Sequence, residues 1–570
     1  MSNFKKHKKS ILIVLILVVL IFLVNIIVSS IIKKKIKEVL VSENSESRIV
    51  SVENVQFKLF SSSITLNNIS YVPTDQLLSE LKSGKSAKNS LQKFTVSAIR
   101  LHGIGIVKLI LNKNINVNSL NIDGLVIEKI SNPNIREKDL SKSKPLNLDS
   151  IYLENISGFK IDKINFSNIR YNIFDITSNE ITFQTSPISF QSSGFMLENI
   201  KPSLFRLKLI ENEFKLDKIS INFEDKKYNL SVDQITINFD KKLLNIKSIS
   251  LKPTISRNAM ARRSKYTSEI FNVDVEDLNI YNYNLSKTLK NEGVFIDSID
   301  ITGLNLKIYK DKRKPFNLNK RPILINYKLK KMELPLLIHK ISIDNGNLRY
   351  EEQEEKRAEL MTVTLDEIKA KIYNLTSIKT YRKIPLTINL ESKLMNKAAM
   401  EVNLNFPLAD GLNTFYFKGS LAASKFKNYD SALYPALGIT ITNGDLDGLT
   451  FEASADNYSS IGKMTMLYHD LETKILKSES NNKSKFKSWG VNTMVHKGNP
   501  GKNNKVREVK MSFDRVEYKG LGNYLWKTIQ SGLVNTIAPI GKKTDESKEH
   551  QKKEKKESKR LKRDEKEKNK

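Results

Sequence analysis

The chain has 570 residues, no cysteine and a formal net charge of +32. Without thiols it has neither disulfide staples nor thiolate metal sites, and its length exceeds what one domain of ~100–200 residues needs. The positive field favours anionic partners such as phospholipid headgroups or nucleic acid; Met1–Ser10 holds +4 and Lys542–Lys570 holds 14 Lys/Arg against 8 Asp/Glu, which leaves +22 for the rest.

Residues 1–10 read as a short basic tail, followed at 11–32 by an uncharged stretch with only Asn25, Ser29 and Ser30 as polar interruptions. Twenty-two such residues are enough to span ~30 Å of hydrocarbon as a helix, with Ile11, Leu15, Leu20, Phe22 and Ile32 among the anchoring side chains. A cleaved signal peptide would carry a shorter apolar core and a small-residue cleavage site. Here the apolar run passes straight into Lys33-Lys34-Lys35, which favours an uncleaved single-pass anchor. The lysines on its two flanks balance, so charge alone does not orient it. We expect the basic amino terminus in the cytoplasm and the body exported.

Residues 33–520 form the expected body, with no long Pro/Gly/Ser-rich linker between Val50 and Val516. Val50, Val52, Val55 and Phe57 begin a pattern that becomes explicit at Phe94, Val96, Ile99, Leu101, Ile104 and Ile106, whose steps are two, three, two, three and two. The same steps recur twenty-one residues later at Ile115, Val117, Leu120, Ile122, Leu125 and Ile127. Further copies start at Phe159, Val273 and Val294, with looser ones at Leu336–Leu348 and Val363–Leu375. Steps of two mark half-buried strands, and self-similarity at this period marks a repeat architecture. A three-residue step would flip the next pair to the opposite face, so something must absorb one residue. A β-bulge, setting two residues against one, is the preferred device; a tight hairpin at each step would leave strands too short.

Between the repeats, Asp75–Ser90 reads as a polar loop or short helix and Ser256–Tyr266 as a basic loop carrying Arg257, Arg262, Arg263 and Lys265. Phe205–Ile255 reads as an antiparallel meander, with Asp225-Lys226-Lys227 and Asp240-Lys241-Lys242 at hairpin spacing. Tyr429–Gly438 is a short helix or turn, Ile439–Phe451 suggests strands around Gly444 and Gly448, and Gly462–Leu471 is one more alternating strand. Residues 521–541 change period: Leu521, Tyr524, Leu525, Ile529, Leu533, Ile537 and Ile540 lie at helical steps. This amphipathic helix either caps an open end of the β body or lies in a membrane interface with Trp526 as anchor. Residues 542–570 are low-complexity and charged, hence expected to be disordered.

The six histidines are scattered, and no HExxH helix, G-x-S-x-G elbow, P-loop or dinucleotide fingerprint is present. We therefore expect no catalytic residue, no metal site and no cofactor. Nucleic acid is not an expected partner, because no basic stripe interleaved with aromatics accompanies the charge.

The apolar start, the phrase Asn116-Val117-Asn118-Ser119-Leu120-Asn121-Ile122-Asp123-Gly124-Leu125-Val126-Ile127, and its relatives at Phe295–Leu306 and Ile338–Leu348 resemble the AsmA family, which includes TamB-like proteins and is similar to the bridge-like lipid-transfer proteins. The segments Gly462–Leu471, Val506–Arg515 and Tyr524–Gly532 resemble AsmA-like proteins of Bacteroidetes-type bacteria. The resemblance implies a bacterial inner-membrane anchor, a periplasmic body and a role in phospholipid movement or outer-membrane homeostasis, with phospholipids, the membrane and an envelope protein as partners. The expected fold is mainly β: one amino-terminal transmembrane helix, an elongated, twisted antiparallel repeat sheet forming an open groove, a carboxyl-terminal amphipathic helix and a charged tail. Roughly 20–25 strands at ~4.8 Å would extend ~100–120 Å if the sheet never closed. The groove lining expected from the repeats is Phe94, Val96, Ile99, Leu101, Ile115, Val117, Leu120, Ile122, Leu125, Ile127, Ile161, Ile164, Phe166, Val273, Val275, Leu278, Ile280, Ile296, Ile299, Ile301 and Leu304. The competing reading is an anchored envelope scaffold with a closed β core and a basic partner-binding surface.

Overall fold

The computed structural model describes residues 48–58, 61–105, 114–135, 151–152, 158–201, 204–209, 213–223, 227–284, 287–288, 292–355, 357–409, 411, 413–437, 439–475, 496–501 and 503–537. The expected anchor at 11–32 and the tail at 542–570 lie outside them. Among the described residues no helix is long and apolar enough to cross a membrane.

The protein is mainly β and divides into two compact units that interleave along the sequence: residues 1–315, 329–351 and 367–386 form unit 1, and residues 316–328, 352–366 and 387–570 form unit 2. Unit 1 holds β1 (Arg48–Lys58), β2 (Ser63–Pro73), β3 (Ser90–Ile104), β4 (Asn114–Asp123), β5 (Val126–Ser131), β6 (Ile151–Tyr152), β7 (Gly158–Asp175), β8 (Glu180–Gln184), β9 (Ile188–Lys201), β10 (Leu204–Leu209), β11 (Glu213–Phe223), β12 (Tyr228–Asn238), β13 (Leu243–Pro253), β14 (Glu269–Tyr281), β15 (Val294–Thr302), β16 (Asn305–Asp311) and most of β17 (Leu336–Gln353). Helices α1 (Asp75–Lys82) and α2 (Arg257–Arg263) complete it.

The hydrogen-bonded order of the principal strands is β1, β2, β3, then β4 with β5, then β7, β9, β11, β12, β13, β14, then β15 with β16, and β17. The run from β11 to β13 is an antiparallel meander within the expected span Phe205–Ile255, and β14 extends it. Two junctions depart from the antiparallel expectation: β7 runs parallel to β4 and β5, and β17 runs parallel to β15. Each follows a doubled repeat. The two doubled repeats thus share one topology, and each is interrupted at a glycine, Gly124 or Gly303.

The three-residue step is absorbed differently from the expected bulge. In β1 and β2, Val52 faces Ile69 and Val55 faces Leu66, so an extra residue in one strand meets an extra residue in the other. The same holds between β2 and β3, between β3 and β4 with β5, and through β11 to β14, where the pairing keeps one offset across the step. On one strand of most such pairs the alternation is reset by a residue in the left-handed region at the second position of the step: Asn68 (φ 51°), Gly103 (68°), Gly124 (66°), Asn168 (58°), Ser248 (54°), Gly303 (67°), Asn345 (53°) and Glu367 (54°); the facing steps Val52–Val55, Val96–Ile99, Val232–Ile235 and Val275–Leu278 carry none. That conformation costs an ordinary L-residue ~1–2 kcal/mol and is borne best by Gly and Asn; six of these eight positions hold one of the two. The chain therefore creases without slipping register. True bulges occur where β7 meets β9, between Phe166 and Ile169, and along β22 (Ile439–Ala455) against β23 (Ser459–Ile475).

Unit 2 contains β20 (Ala398–Phe406), β21 (Phe415–Lys425), β22, β23 and β24 (Glu508–Asp514), paired antiparallel in that order. β18 (Leu360–Thr376) and β19 (Leu386–Leu394) have residues in both units, as does α3 (Ile325–Lys331). Its core is closed: Phe406, Phe415, Met464, Met466, Tyr468, Met511 and Tyr524 are each at most 2% exposed. Phe406 stacks on Phe415 at 5.2 Å, and the Phe415 ring meets Tyr524 edge-on at 6.0 Å. Short helix α4 (Asp430–Leu437) packs on β22.

The terminal helix α5 (Leu521–Ile537) forms where expected, but with a different inner face. The residues it buries are Tyr524, Thr528, Gly532 and Thr536, whereas Leu521, Leu525, Ile529, Leu533 and Ile537 stay half-buried. The reason is close approach to the sheet: a Cβ on Gly532 would come within 2.7 Å of Met511 Cγ and 2.9 Å of Met464 Sδ. The helix also satisfies the edge of β24, since Ser531 Oγ accepts the Ser512 N–H (3.0 Å) and Asn535 Nδ2 donates to the Lys510 carbonyl (2.8 Å). An uncovered edge would template pairing with another chain.

Candidate functional site

Constant register carries one residue of each strand into a lateral row. Val55, Leu66, Ile99, Ile122, Phe166, Phe190, Leu216, Ile235, Ile246, Leu278, Ile301 and Ile343 are each the direct cross-strand partner of the next. This apolar lane crosses twelve strands of unit 1 without a polar residue; at ~4.8 Å per strand it runs on the order of 50 Å. A second row lies beside it, two residues along each strand: Phe57, Ile64, Leu101, Leu120, Ile164, Ser192, Phe214, Ile237, Leu244, Ile280, Ile299 and Ile341. Its only polar member is Ser192. Beyond the crease lie shorter rows, such as Val50, Tyr71, Phe94, Ile127 and Tyr171, in which the Tyr71 and Phe94 rings meet edge-on at 5.4 Å.

The centre of a sandwich core is its most buried part. This lane is not. Val55 is 2% exposed, but the other eleven residues keep partial contact with solvent. Helix α1 touches β3, and α2 touches β14 and β16. Asn132, itself 3% exposed, fixes α1 by donating to the Leu81 carbonyl at 2.8 Å.

The opposite face is polar and stapled across strands. Ser167 Oγ (2.6 Å) and Asn168 Nδ2 (2.9 Å) donate to Asp123 Oδ1, and these two hydrogen bonds hold the carboxyl below its usual range. Asn165 Nδ2 donates to Asn121 Oδ1 at 2.7 Å, Asn245 Nδ2 to Asp277 Oδ1 at 2.6 Å, and Ser250 Oγ to Asp274 Oδ1 at 2.7 Å. The crease residues Glu53, Asn68, Ser97, Asn168, Asp233, Ser248, Glu276 and Asn345 are exposed. Grease and water are thus assigned to separate faces by the alternation of one repeat.

The expected lining residues fall on this apolar face. Phe94, Val96, Ile99 and Leu101 are on β3; Ile115, Val117, Leu120 and Ile122 on β4; Ile127 on β5; Ile161, Ile164 and Phe166 on β7; Val273, Val275, Leu278 and Ile280 on β14; Ile296, Ile299 and Ile301 on β15. Leu125 and Leu304 follow the left-handed glycines. Val117, Ile161 and Val275 are buried, and the other eighteen are half-buried. Val117 and Ile161 join Ile104 in a small closed cluster packed by Ile64, Leu101, Ile115, Leu120, Phe159 and Ile164. The anchor residues Ile11, Leu15, Leu20, Phe22 and Ile32 lie outside the described residues. Phe190 escaped the sequence reading because β9 lacks the three-residue step after it; an isolated Ile188-x-Phe190 pair is a weak signal. Its ring stacks on Phe166 at 4.3 Å and joins the lane's two halves.

The basic segment at Ser256–Tyr266 holds a helix at Arg257–Arg263 where a loop was expected. Ser256 Oγ caps it by accepting from the Ala259 N–H at 3.3 Å. Arg257 is engaged, pairing with Glu351 and lying 4.8 Å above the Tyr309 ring. Burial alone would raise the Glu351 pKa, but hydrogen bonds from Arg349 and Arg257 outweigh it and leave the carboxyl below its usual range. Nearby, Arg313 grips buried Asp311 through two hydrogen bonds of 2.9 and 2.7 Å, lowering the Asp311 pKa. Unit 2 carries on its polar face a shallow concavity of about 620 Å³ lined by Glu391, Glu401, Glu452, Glu508, Lys418 and Lys463 among others. Among the described residues no group of three or more His, Cys, Asp or Glu side chains is placed to hold a metal ion. Neither a protein-family model nor a curated protein sequence matches the chain.

Proposed function

We propose that the protein is a membrane-anchored lipid-binding or lipid-transfer protein of the cell envelope, AsmA-like in design, whose unit 1 holds acyl chains against its apolar face. The observation that carries this reading is the lane from Val55 to Ile343, eleven of whose twelve residues are only half-buried. A contiguous apolar strip of that extent, left open to water, is an aggregation hazard unless something covers it. Hydrocarbon does so at ~0.8 kcal/mol per buried methylene, and a lining of Ile, Leu, Val and Phe offers no polar group that would fix one headgroup. Such a lining suits a guest that slides. The net positive charge of the chain favours anionic headgroups at the mouth.

The scaffold reading draws support from one part of the molecule, the closed aromatic and methionine core of unit 2. We assign that unit a structural role beside the lipid-binding one.

The test is lipid mass spectrometry on the full chain and on Ile122→Asp. The wild type should carry phospholipid beyond that of an unrelated single-pass control, and the variant should lose most of that excess. A folded variant that retains it would remove the lane from the mechanism.

A further inference from the structure

The two apolar halves of unit 1 meet at a single strand, β9, and there the face changes character. The lane continues through Phe190, between Phe166 and Leu216. The adjacent row is broken by Ser192, which stands opposite Ile164 on one side and Phe214 on the other. Beyond the crease, Thr185 takes the place opposite Ile221, where β12 and β13 present Leu230 and Leu251 along the same row. The row through Ile188 is also lost at this point: β7 bulges between Phe166 and Ile169, so the steps of β9 and β11 no longer coincide. Both hydroxyls are occupied within the fold. Ser192 Oγ donates to the Ser193 carbonyl at 2.6 Å, and Thr185 Oγ1 accepts the Tyr171 N–H at 2.9 Å.

We propose that β9 is a neck dividing the trough into two acyl-binding compartments, with Phe190 the side chain hydrocarbon must pass and Ser192 limiting the width of the passage. This rests on the lipid-binding reading and deepens it. On either side of β9 several apolar rows lie abreast, enough for more than one chain; the rows through Phe195 and Leu197 of β9 turn off to β10 at Leu209 and Leu207, and from β7 through β9 into β11 the Phe190 row alone continues unbroken, the width of a single chain. A lipid crossing the neck leads with one acyl chain over the Phe190 ring while its partner chain loses apolar cover at Ser192. One compartment then fills from the other through this neck, and passage across it is the slow step.

The experiment uses the full chain reconstituted in vesicles of phosphatidylglycerol and phosphatidylethanolamine, with a photo-reactive phenylalanine analogue replacing either Ile122 in the first compartment or Ile301 in the second. Both reporters should cross-link phospholipid in the otherwise wild-type protein. In Phe190→Asp one reporter should keep its yield while the other falls by about tenfold or more, because a carboxylate against hydrocarbon is strongly disfavoured. Phe190→Leu should keep both. Ser192→Leu, which completes the second row, should raise the yield of whichever reporter Phe190→Asp depletes. Undiminished labelling at both reporters in Phe190→Asp overturns the neck and leaves the trough standing. Equal loss at both in Phe190→Asp, with no change in Ser192→Leu, also overturns the neck. Absence of lipid adducts at both reporters in the wild-type background overturns the lipid-binding reading itself.

Discussion

The crease can be tested at Gly124 and Gly303, which occupy equivalent steps in the two doubled repeats. An alanine at either must adopt a left-handed backbone, costing ~1–2 kcal/mol. The surroundings then separate the two sites. A Cβ at Gly124 would lie 2.2 Å from Ser97 Oγ and 2.8 Å from Ser97 Cβ, atoms tied closely to the β3 backbone. At Gly303 it would meet the Glu276 carboxylate end at 2.3 Å, the far end of a flexible, exposed side chain that can move aside. We therefore expect Gly303→Ala to cost ~1–2 kcal/mol and Gly124→Ala ~2–4 kcal/mol, the excess being overpacking of the kind worth ~1–3 kcal/mol. Adding Ser97→Gly should remove the clash at Gly124 and return the cost toward that of Gly303→Ala. Hydrogen–deuterium exchange resolved to peptides of β3 to β5 and β14 to β16 reads each effect locally, which suits a chain of two units better than a global melt. Equal, negligible effects at both glycines, or no recovery with Ser97→Gly, would refute the left-handed crease.

Three further outcomes follow from other parts of the fold. The Arg313 hydrogen bonds lower the Asp311 pKa in the folded protein, so the pair's stabilisation is fully present above the unfolded value of about 3.9 and is lost as pH falls through the lower folded value. Exchange protection of β16 should drop over that acidic window, and Asp311→Asn should flatten the dependence; an unchanged profile in the variant contradicts the assignment. Asn535→Ala combined with Ser531→Ala uncovers the Lys510 carbonyl and Ser512 N–H, which should cost ~1–2 kcal/mol in unit 2 and promote self-association through β24, read by light scattering. Arg257→Ala leaves Glu351 with Arg349 alone and should weaken the docking of α2 by ~1 kcal/mol, seen as faster exchange in α2 with lane residues unaffected.

Much of unit 1 was legible because its grammar is local. Residues two apart report a strand, and the recurrence at Phe94, Ile115, Phe159 and Val273 reports that the strands are copies. What the step of three meant was not legible, because a bulge and a matched left-handed crease give the same spacing on one strand and differ only in the partner's register. The Asn or Gly at the second step position, Asn68, Gly124, Asn168, Gly303 and Asn345, was the available clue. The parallel returns of β7 and β17 depend on crossovers that leave no periodic trace. In α5 the apolar stripe misled beyond Tyr524: Thr528, Gly532 and Thr536 face the sheet because a helix pressed onto methionines at close range needs small side chains there, a tertiary constraint that hydrophobic spacing does not encode. Phe190 was missed for a related reason, since its significance lies in what stands beside it on β7 and β11.

The central claim is that the lane from Val55 to Ile343 is kept for hydrocarbon, and the most direct measurement is an electron cryomicroscopy map of the full chain held in a lipid nanodisc without detergent. The account predicts elongated non-protein density lying across the strands and in contact with Leu66, Ile99, Ile122, Leu278 and Ile301. A map in which those side chains are covered by the protein's own residues, with no room for an acyl chain, would contradict it.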